Sequence, residues 1–436
     1  MGDRGWAVGD HFGLPFPAHP QAFLEAGADF LTRAFRAAGG VLAGQGVARI
    51  LRAVEVSGGS TGRKLALDVA WEEPAPDLPT ELFVKFSRDF ADPLRDGGRV
   101  QMEREVHFAL LARRPDFPVA VPACLFADYQ AATGSGILIT ERIPFGRPPV
   151  EPHYPKALDH RMPEVLAHYR TLVRALARLA GWDRAGRLGE MPARHLPLVR
   201  EQLAVSDRAV PSAAEAARRA EALAAFLAAR PALFSPRLRA PAFRARLVAE
   251  APRVAASFSA IFDALAAEEA LVGLSHWNAH VDNAWFWRDD RGELQCGLFD
   301  WGNASRLHLA MALWGCLSAA PLSLWEAHLE ELLALAAETF HAAGGEAVEP
   351  ALLRARLCLY AAAMGVAWLL AVPQTLERRL PGLTDPGDPR LEEDERARSQ
   401  LAILTSALHL WESADLTALL DALPGPASAR SRSLCP

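Results

Sequence analysis

The sequence predicts an α+β chain with a small five-stranded N-lobe followed by a large, mainly helical C-lobe. Three observations carry that expectation. Between residues 47 and 143, five short runs of β-forming residues are separated by Gly- and Pro-rich turns, with one helical pattern set among them. From residue 158 onward, apolar residues recur at helical spacing in six patterns. Between the two stretches stands the Pro-rich segment 144–155, PFGRPPVEPHYP, which reads as a hinge.

In chain order, Phe23, Leu24, Phe30, Leu31, Ala34 and Phe35 fall on one helical face, and Gly39-Gly40 stops that helix. Strands are expected at 47–56 and 65–71, around a Gly/Ser turn, and at 81–86 after a Pro-rich loop. A helix at 101–113 follows, then strands at 123–129 and 137–143. The helical patterns of the C-lobe lie near 158–182, 212–230, 241–269, 305–344, 349–372 and 391–415. One hairpin interrupts them, with strands at 284–288 and 294–300 around the turn Asp289-Asp290-Arg291-Gly292. The expected division is therefore an N-terminal helical extension at 1–46, an N-lobe at 47–143, a hinge at 144–157, a C-lobe at 158–424 and a flexible tail at 425–436.

With 436 residues, about half of them apolar, the chain has material for substantial cores. A net charge of -6 without long runs of one sign argues against nucleic acid or a membrane surface as the main partner. Charge is unevenly spread, however: residues 159–250 hold 16 Arg against 9 Asp and Glu. The five cysteines are scattered, which fits reduced thiols in a cytoplasmic protein better than a disulfide framework or zinc site. The opening MGDRGWAVGDHFG lacks the pattern of a signal peptide, and the apolar run 357–372 is short for a membrane span and reads as a buried helix.

Four features carry candidate chemistry. The turn Ser57-Gly58-Gly59-Ser60-Thr61-Gly62-Arg63-Lys64 would let backbone N–H groups approach phosphate oxygens, or serve as an ordinary hairpin turn; it lacks the spacing of a Walker A loop. Lys85 stands in the apolar strand Leu82-Phe83-Val84-Lys85-Phe86. Only Lys64, Lys85 and Lys156 occur beside 43 arginines, so a lysine kept in such a strand suggests a need for a compact point charge. On the following helix, Glu103 and Glu105 are candidates to hold Lys85 through an ion pair. Finally, Leu274-Ser275-His276-Trp277-Asn278-Ala279-His280-Val281-Asp282-Asn283-Ala284-Trp285-Phe286, followed by Gly297-Leu298-Phe299-Asp300-Trp301, gathers oxygen ligands of the kind that suit Mg²⁺.

That last segment resembles the catalytic loop of the aminoglycoside phosphotransferase, choline kinase and ecdysteroid kinase families, written L-x-H-G-D-x-[HW]-x-x-N-x-x-F. Leu274, His276, His280, Asn283 and Phe286 match the frame, and Asp300-Trp301 resembles the metal-binding I-D-W motif of those families. Lys85, Glu105 and the strand Leu138-Ile139-Thr140-Glu141-Arg142 fall in the same order, so the resemblance covers most of residues 47–320. It departs at Trp277 and Asn278, where the families have Gly and the catalytic Asp, and at Ala310-Met311-Ala312-Leu313, where they have a later Asp.

The resemblance implies a protein-kinase-like fold and binding of ATP or GTP with Mg²⁺. Lys85 would contact the phosphates, aided by the turn residues Gly59, Ser60, Thr61 and Gly62, and Glu105 would orient it. Glu141 and Ile143 would face the base, and Asn283 and Asp300 would hold the metal. Catalytic roles would fall to His276, Asn278, His280 and Asp282. Asn278 can accept a hydrogen bond but cannot take a proton. Three readings follow: a small-molecule kinase with Asp282 or His280 as base, a phosphotransferase for an already ionised acceptor, and a pseudokinase that binds nucleotide and regulates a partner. The excess of Arg at 159–250 argues against a polycationic acceptor.

Overall fold

The computed structural model describes residues 5–59, 61–199 and 210–424. These divide into two compact units. Unit 1 comprises the chain up to Pro152 with Glu190–Leu196 and Gly297–Ala304, and unit 2 the remainder. The expected α+β class, a five-stranded part and a helical part, is the class of the structure.

In unit 1 a short ladder, β1 (Trp6–Val8) with β2 (Pro15–Pro17), precedes α1 (Pro20–Ala38). The ladder has no counterpart in the sequence reading, because Pro-Phe-Pro presents itself as a breaker rather than a strand. α1 is interrupted at Gly27 and ends where Gly39 adopts φ 74°, as the Gly39-Gly40 pair implies. The sheet comprises β3 (Val47–Glu55), β4 (Arg63–Trp71), β5 (Glu81–Phe86), β6 (Cys124–Gln130) and β7 (Ser135–Glu141). It is wholly antiparallel, in the order β3-β4-β5-β7-β6.

The two faces of β5 explain the placement of Lys85. Successive strand residues point to opposite faces, and Leu82, Val84 and Phe86 are buried in a core with Phe23, Phe30 and Phe35 of α1. Lys85 must therefore face the other way. There, after the short α2 (Pro93–Gly97), lies α3 (Gln101–Leu111), which packs Met102, Val106 and Ala109 against Ala127, Tyr129 and Leu138.

Unit 2 begins with α4 (Val165–Arg184); the next helix, α5 (Met191–His195), belongs to unit 1. Then come α6 (Ala213–Ala229), α7 (Pro236–Arg239), α8 (Pro241–Ala256) and α9 (Phe258–Ala267). The helix expected over 241–269 is thus two, broken at Ser257, whose ψ of 2° leaves the helical region. β8 (Val272–His276) pairs with a later strand that the sequence reading took for helix, and β9 (Ala284–Arg288) forms the expected hairpin with β10 (Leu294–Leu298).

The partner of β8 is β11 (Ala304–His308), followed by α10 (Leu309–Leu317), α11 (Leu322–Ala342) and α12 (Pro350–Ala367). Pro321 separates α10 from α11, where the sequence pattern runs on as one. The chain closes with α13 (Val372–Arg379), α14 (Pro389–Glu393), α15 (Glu395–Ser413) and α16 (Leu416–Asp421). α12 is the one described helix long and apolar enough to cross a membrane, and most of it is buried within unit 2.

Candidate functional site

Two candidate sites occur, one in each unit. In unit 1, Lys85 Nζ lies 2.6 Å from Glu105 Oε1 and 2.7 Å from Asp300 Oδ1. Glu105, not Glu103, is the helix residue that reaches it. Burial alone would lower the pKa of Lys85, but Asp300 and Glu105 outweigh that effect and hold the ammonium above its ordinary range. Burial pushes Glu105 up, against the pull of Lys85. The Asp300 side chain is half-exposed (51%), so it alone of the three is open to a ligand. Its backbone occupies the left-handed region at φ 66°, uncommon for a non-glycine residue. Trp301 fixes the segment by stacking on Phe108 at 3.6 Å.

These residues line a cavity of about 960 Å³. Val56, Ala66, Leu138 and Phe299 give it apolar walls, and Glu141 and Ile143 also line it. The N–H of Glu141 is already donated to Ala123 O at 3.0 Å and that of Arg142 to Glu81 O. Only Ile143 keeps a backbone N–H without a hydrogen-bond partner among the described residues of this stretch.

Gly59, Thr61 and Gly62 are not among the described residues that line the cavity, and Ser60 lies outside the described residues. Arg95 and Lys64 tie this turn down: Arg95 Nη2 donates to Gly62 O at 2.5 Å and Lys64 Nζ to Gly58 O at 3.0 Å. Gly62 has a local reason for its identity, since at φ 51° a Cβ would stand 1.8 Å from Phe86 O.

In unit 2 the loop after β8 is held by its own hydrogen bonds. Asn278 N donates to His276 Nδ1 (3.1 Å), and Asn283 Nδ2 donates to Asn278 O (2.8 Å). Trp277 Nε1 donates to Tyr360 OH (2.7 Å). α10 passes directly against this loop at Gly315, where a Cβ would meet Trp277 O at 1.6 Å.

His280 lies between two partners, with Nδ1 2.8 Å from Asn278 Oδ1 and Nε2 2.9 Å from Ser318 Oγ. An amide oxygen only accepts, so Nδ1 carries the proton and Nε2 accepts from the serine hydroxyl. Burial, then Lys156 and His276, pushes its pKa well down, so the ring is neutral at pH 7. His280 therefore has no free lone pair for a substrate proton, and the geometry speaks against the base role expected of it; it orients the Asn278 amide instead. His276, fully buried, braces the loop backbone.

Asp282 Oδ2 pairs with Lys156 Nζ at 3.3 Å, its main-chain carbonyl accepts from His153 Nε2 at 2.9 Å, and its Oδ1 is buried without a partner among the described residues. Burial raises its pKa against the opposing pull of Lys156. Lys156, Ser318 and Tyr360 are the members that sequence reasoning missed. The scarcity of lysine pointed to Lys156 as much as to Lys85. Nothing local marks Ser318 or Tyr360.

No protein-family model matches the chain, and no curated protein does. Among solved structures, the chain is similar to a choline/ethanolamine kinase family protein from Mesorhizobium loti at 15% identity, covering 91% of this chain and 99% of that one, with a TM-score of 0.39. It is similar to choline kinase from Cryptosporidium parvum Iowa II at 10% identity, covering 90% and 97%, with a TM-score of 0.45. A third is a spectinomycin phosphotransferase in complex with ADP and spectinomycin, at 11% identity, covering 84% and 94%, with a TM-score of 0.38. Choline kinases and aminoglycoside phosphotransferases are among the families whose motifs the catalytic loop and Asp300-Trp301 resemble.

Proposed function

We propose that the chain is a phosphotransferase that uses ATP or GTP and acts on a small molecule, with the nucleotide assigned to unit 1 and the acceptor to the Asn278 loop of unit 2. The observation that carries this reading is the Lys85–Glu105–Asp300 cluster in the wall of an apolar cavity of about 960 Å³. A buried ammonium between two carboxylates has little value as packing, because dehydrating such ions costs several kcal/mol each. It has value where a phosphate must be met by a fixed point charge.

Mg²⁺, when bound with the nucleotide, would offset the charge of its phosphates. The half-exposed Asp300 suits such a ligand in unit 1. In unit 2, Asn283 spends its amide nitrogen on Asn278 O and keeps its oxygen without a partner among the described residues. Asn278, oriented by His280, positions an acceptor hydroxyl but does not take its proton. With His280 engaged on both nitrogens, Asp282 is the remaining candidate base in the loop. Phosphoryl transfer rests mainly on positioning and electrostatics, so such a site can turn over at reduced rate.

A second reading has its own support. The loop is closed by bonds between neutral groups, Asn278 to His280 to Ser318, as a nucleotide-binding pseudokinase would tolerate.

The test is the melting temperature with millimolar ATP or GTP and Mg²⁺, followed by a phosphate-release screen over hydroxyl, carboxyl and phosphate acceptors. Binding to the folded state adds about 2.7 kcal/mol at roughly 100 times Kd. A shift that Asp300→Ala largely abolishes is expected. No shift with either nucleotide removes both readings, and a shift without transfer to any acceptor leaves the second.

A further inference from the structure

Unit 2 contains a cavity of about 830 Å³ that Asn278 and His280 help to line. Trp277, Trp314 and Trp368 give it flat apolar walls, and Trp277 is held in place by its bond to Tyr360. Another wall is α15, which contributes Arg396, Ser399, Gln400 and Ile403. That spacing, i, i+3, i+4 and i+7, is a single helical face. A face turned into a protein is ordinarily apolar, yet three of these four residues are polar.

Two of them are also unsatisfied. Ser399 is 8% exposed, and neither its Oγ nor Gln400 Oε1 has a hydrogen-bond partner among the described residues. A helical hydroxyl can always return to the carbonyl four residues back, and Thr405 of the same helix does so, to Leu401 O at 2.8 Å. Ser399 does not. Buried polar groups are normally paired, and an orphan calls for an explanation.

The charges around the cavity indicate the kind of partner. Arg379 is paired with Asp394 at 2.7 Å, Arg390 with Asp388 at 2.6 Å and Lys156 with Asp282 at 3.3 Å. Arg396, Glu393 and Glu395 remain, all exposed, and leave one negative charge in excess at the rim, where solvent and salt screen it. Indole faces suit a ring with apolar surfaces, and the orphan oxygens suit hydroxyls, neutral groups that both donate and accept.

We propose that this cavity binds a neutral, polyhydroxylated ring compound, its ring against the indoles and its hydroxyls on Ser399 and Gln400. Naming that compound the phosphoryl acceptor rests on the function proposed above; the binding does not.

Calorimetric titration of the full chain, without nucleotide, with methyl β-glucoside, glucosamine and glucuronate compares one ring in three charge states. The neutral glucoside is expected to bind at least about tenfold more tightly than either ion. Ser399→Ala and Gln400→Leu should each weaken it on the order of tenfold, the worth of a good hydrogen bond. Neither should lower the melting temperature of the free protein, because no internal bond is lost. Binding of none of the three, equal or tighter binding of a charged form, or a destabilised Ser399→Ala that still binds normally overturns the proposal. Glucoside binding in a protein that shows no nucleotide-dependent melting shift would sink the phosphotransferase reading and leave this site standing. The reverse pattern would do the opposite.

Discussion

The candidate site of unit 1 is built from charges and that of unit 2 from neutral hydrogen bonds. Around Lys85 a buried cation is held by Glu105 and Asp300. At Asn278 an amide, an imidazole and a hydroxyl hold one another without net charge. The first arrangement is an ionic apparatus of the kind a phosphate requires, and the second offers no carboxylate at Asn278 to remove an acceptor's proton, so under the proposed function the two units meet different demands.

The largest effect is expected from breaking the charged side. Lys85→Met leaves two carboxylates facing each other without their cation, and removing one partner of a buried pair costs about 3–5 kcal/mol. The nucleotide-dependent melting shift should vanish with it. Lys64→Met, whose ammonium donates to Gly58 O and meets Asp300 and Glu105 through space without a hydrogen bond, should retain most of that shift. Glu105→Gln added to Lys85→Met should cost little more, since both act through one ion pair. Equal effects of the two lysine variants would show that the phosphates are not met at Lys85.

On the neutral side, Asn278→Asp supplies the missing carboxylate and can still accept the His280 Nδ1–H bond, so the loop geometry is expected to survive. Turnover should rise, by up to the general-base range of roughly 10² to 10⁴. A fall instead means an anionic acceptor, repelled by the new charge. Asp282→Asn should lower activity only if Asp282 serves as base. If neither substitution alters a measured transfer rate, the loop at 276–283 is not where the chemistry occurs. Ser318→Ala is a milder probe: it removes the donor to His280 Nε2, leaving a buried acceptor unsatisfied at about 1–3 kcal/mol. The Asn278 amide loses its brace, so kcat should fall while the nucleotide-dependent melting shift is kept.

The same contrast separates what the sequence revealed from what it concealed. All five strands of the large sheet of unit 1 are legible within about two residues because alternation and turns are local signals, whereas the short β1–β2 ladder is not. Lys85 was legible because a charge in an apolar strand breaks a pattern. The pairing of β8 with β11 was not, since the two are distant in sequence and Ala304–His308 runs straight into the apolar start of α10. His280 and Asp282 drew attention as polar residues in a loop, but their roles depend on Ser318 and Lys156, which only the fold brings near. The unsatisfied face of α15 could not be read at all, because Ser and Gln on a helix ordinarily mean solvent.

The last contrast concerns how each unit responds to pH. Lys85 stays charged across the working range, whereas two acids of unit 2, Asp183 and Asp282, are pushed toward neutrality, both raised by burial against their cations. Asp159 allows the sharpest measurement. It is 4% exposed and accepts a hydrogen bond from Tyr169 OH at 2.7 Å. Burial carries its pKa from 3.8 up to about 6, only partly opposed by that bond. Between these values the folded state holds the proton more tightly than the unfolded chain, so this group's contribution to stability falls as pH rises from about 4 to 6. At pH 7 the full penalty is present, up to about 3 kcal/mol for a shift of roughly two units. Asp159→Asn keeps an acceptor for Tyr169 and removes the charge. Chemical denaturation should therefore find the variant more stable than the parent at pH 7 and nearly equal to it at pH 4. If the gain is the same at both pH values, ionisation of Asp159 is not its source. If the variant is less stable at pH 7, the carboxylate is stabilised where it lies, and unit 2 handles buried charge as unit 1 does.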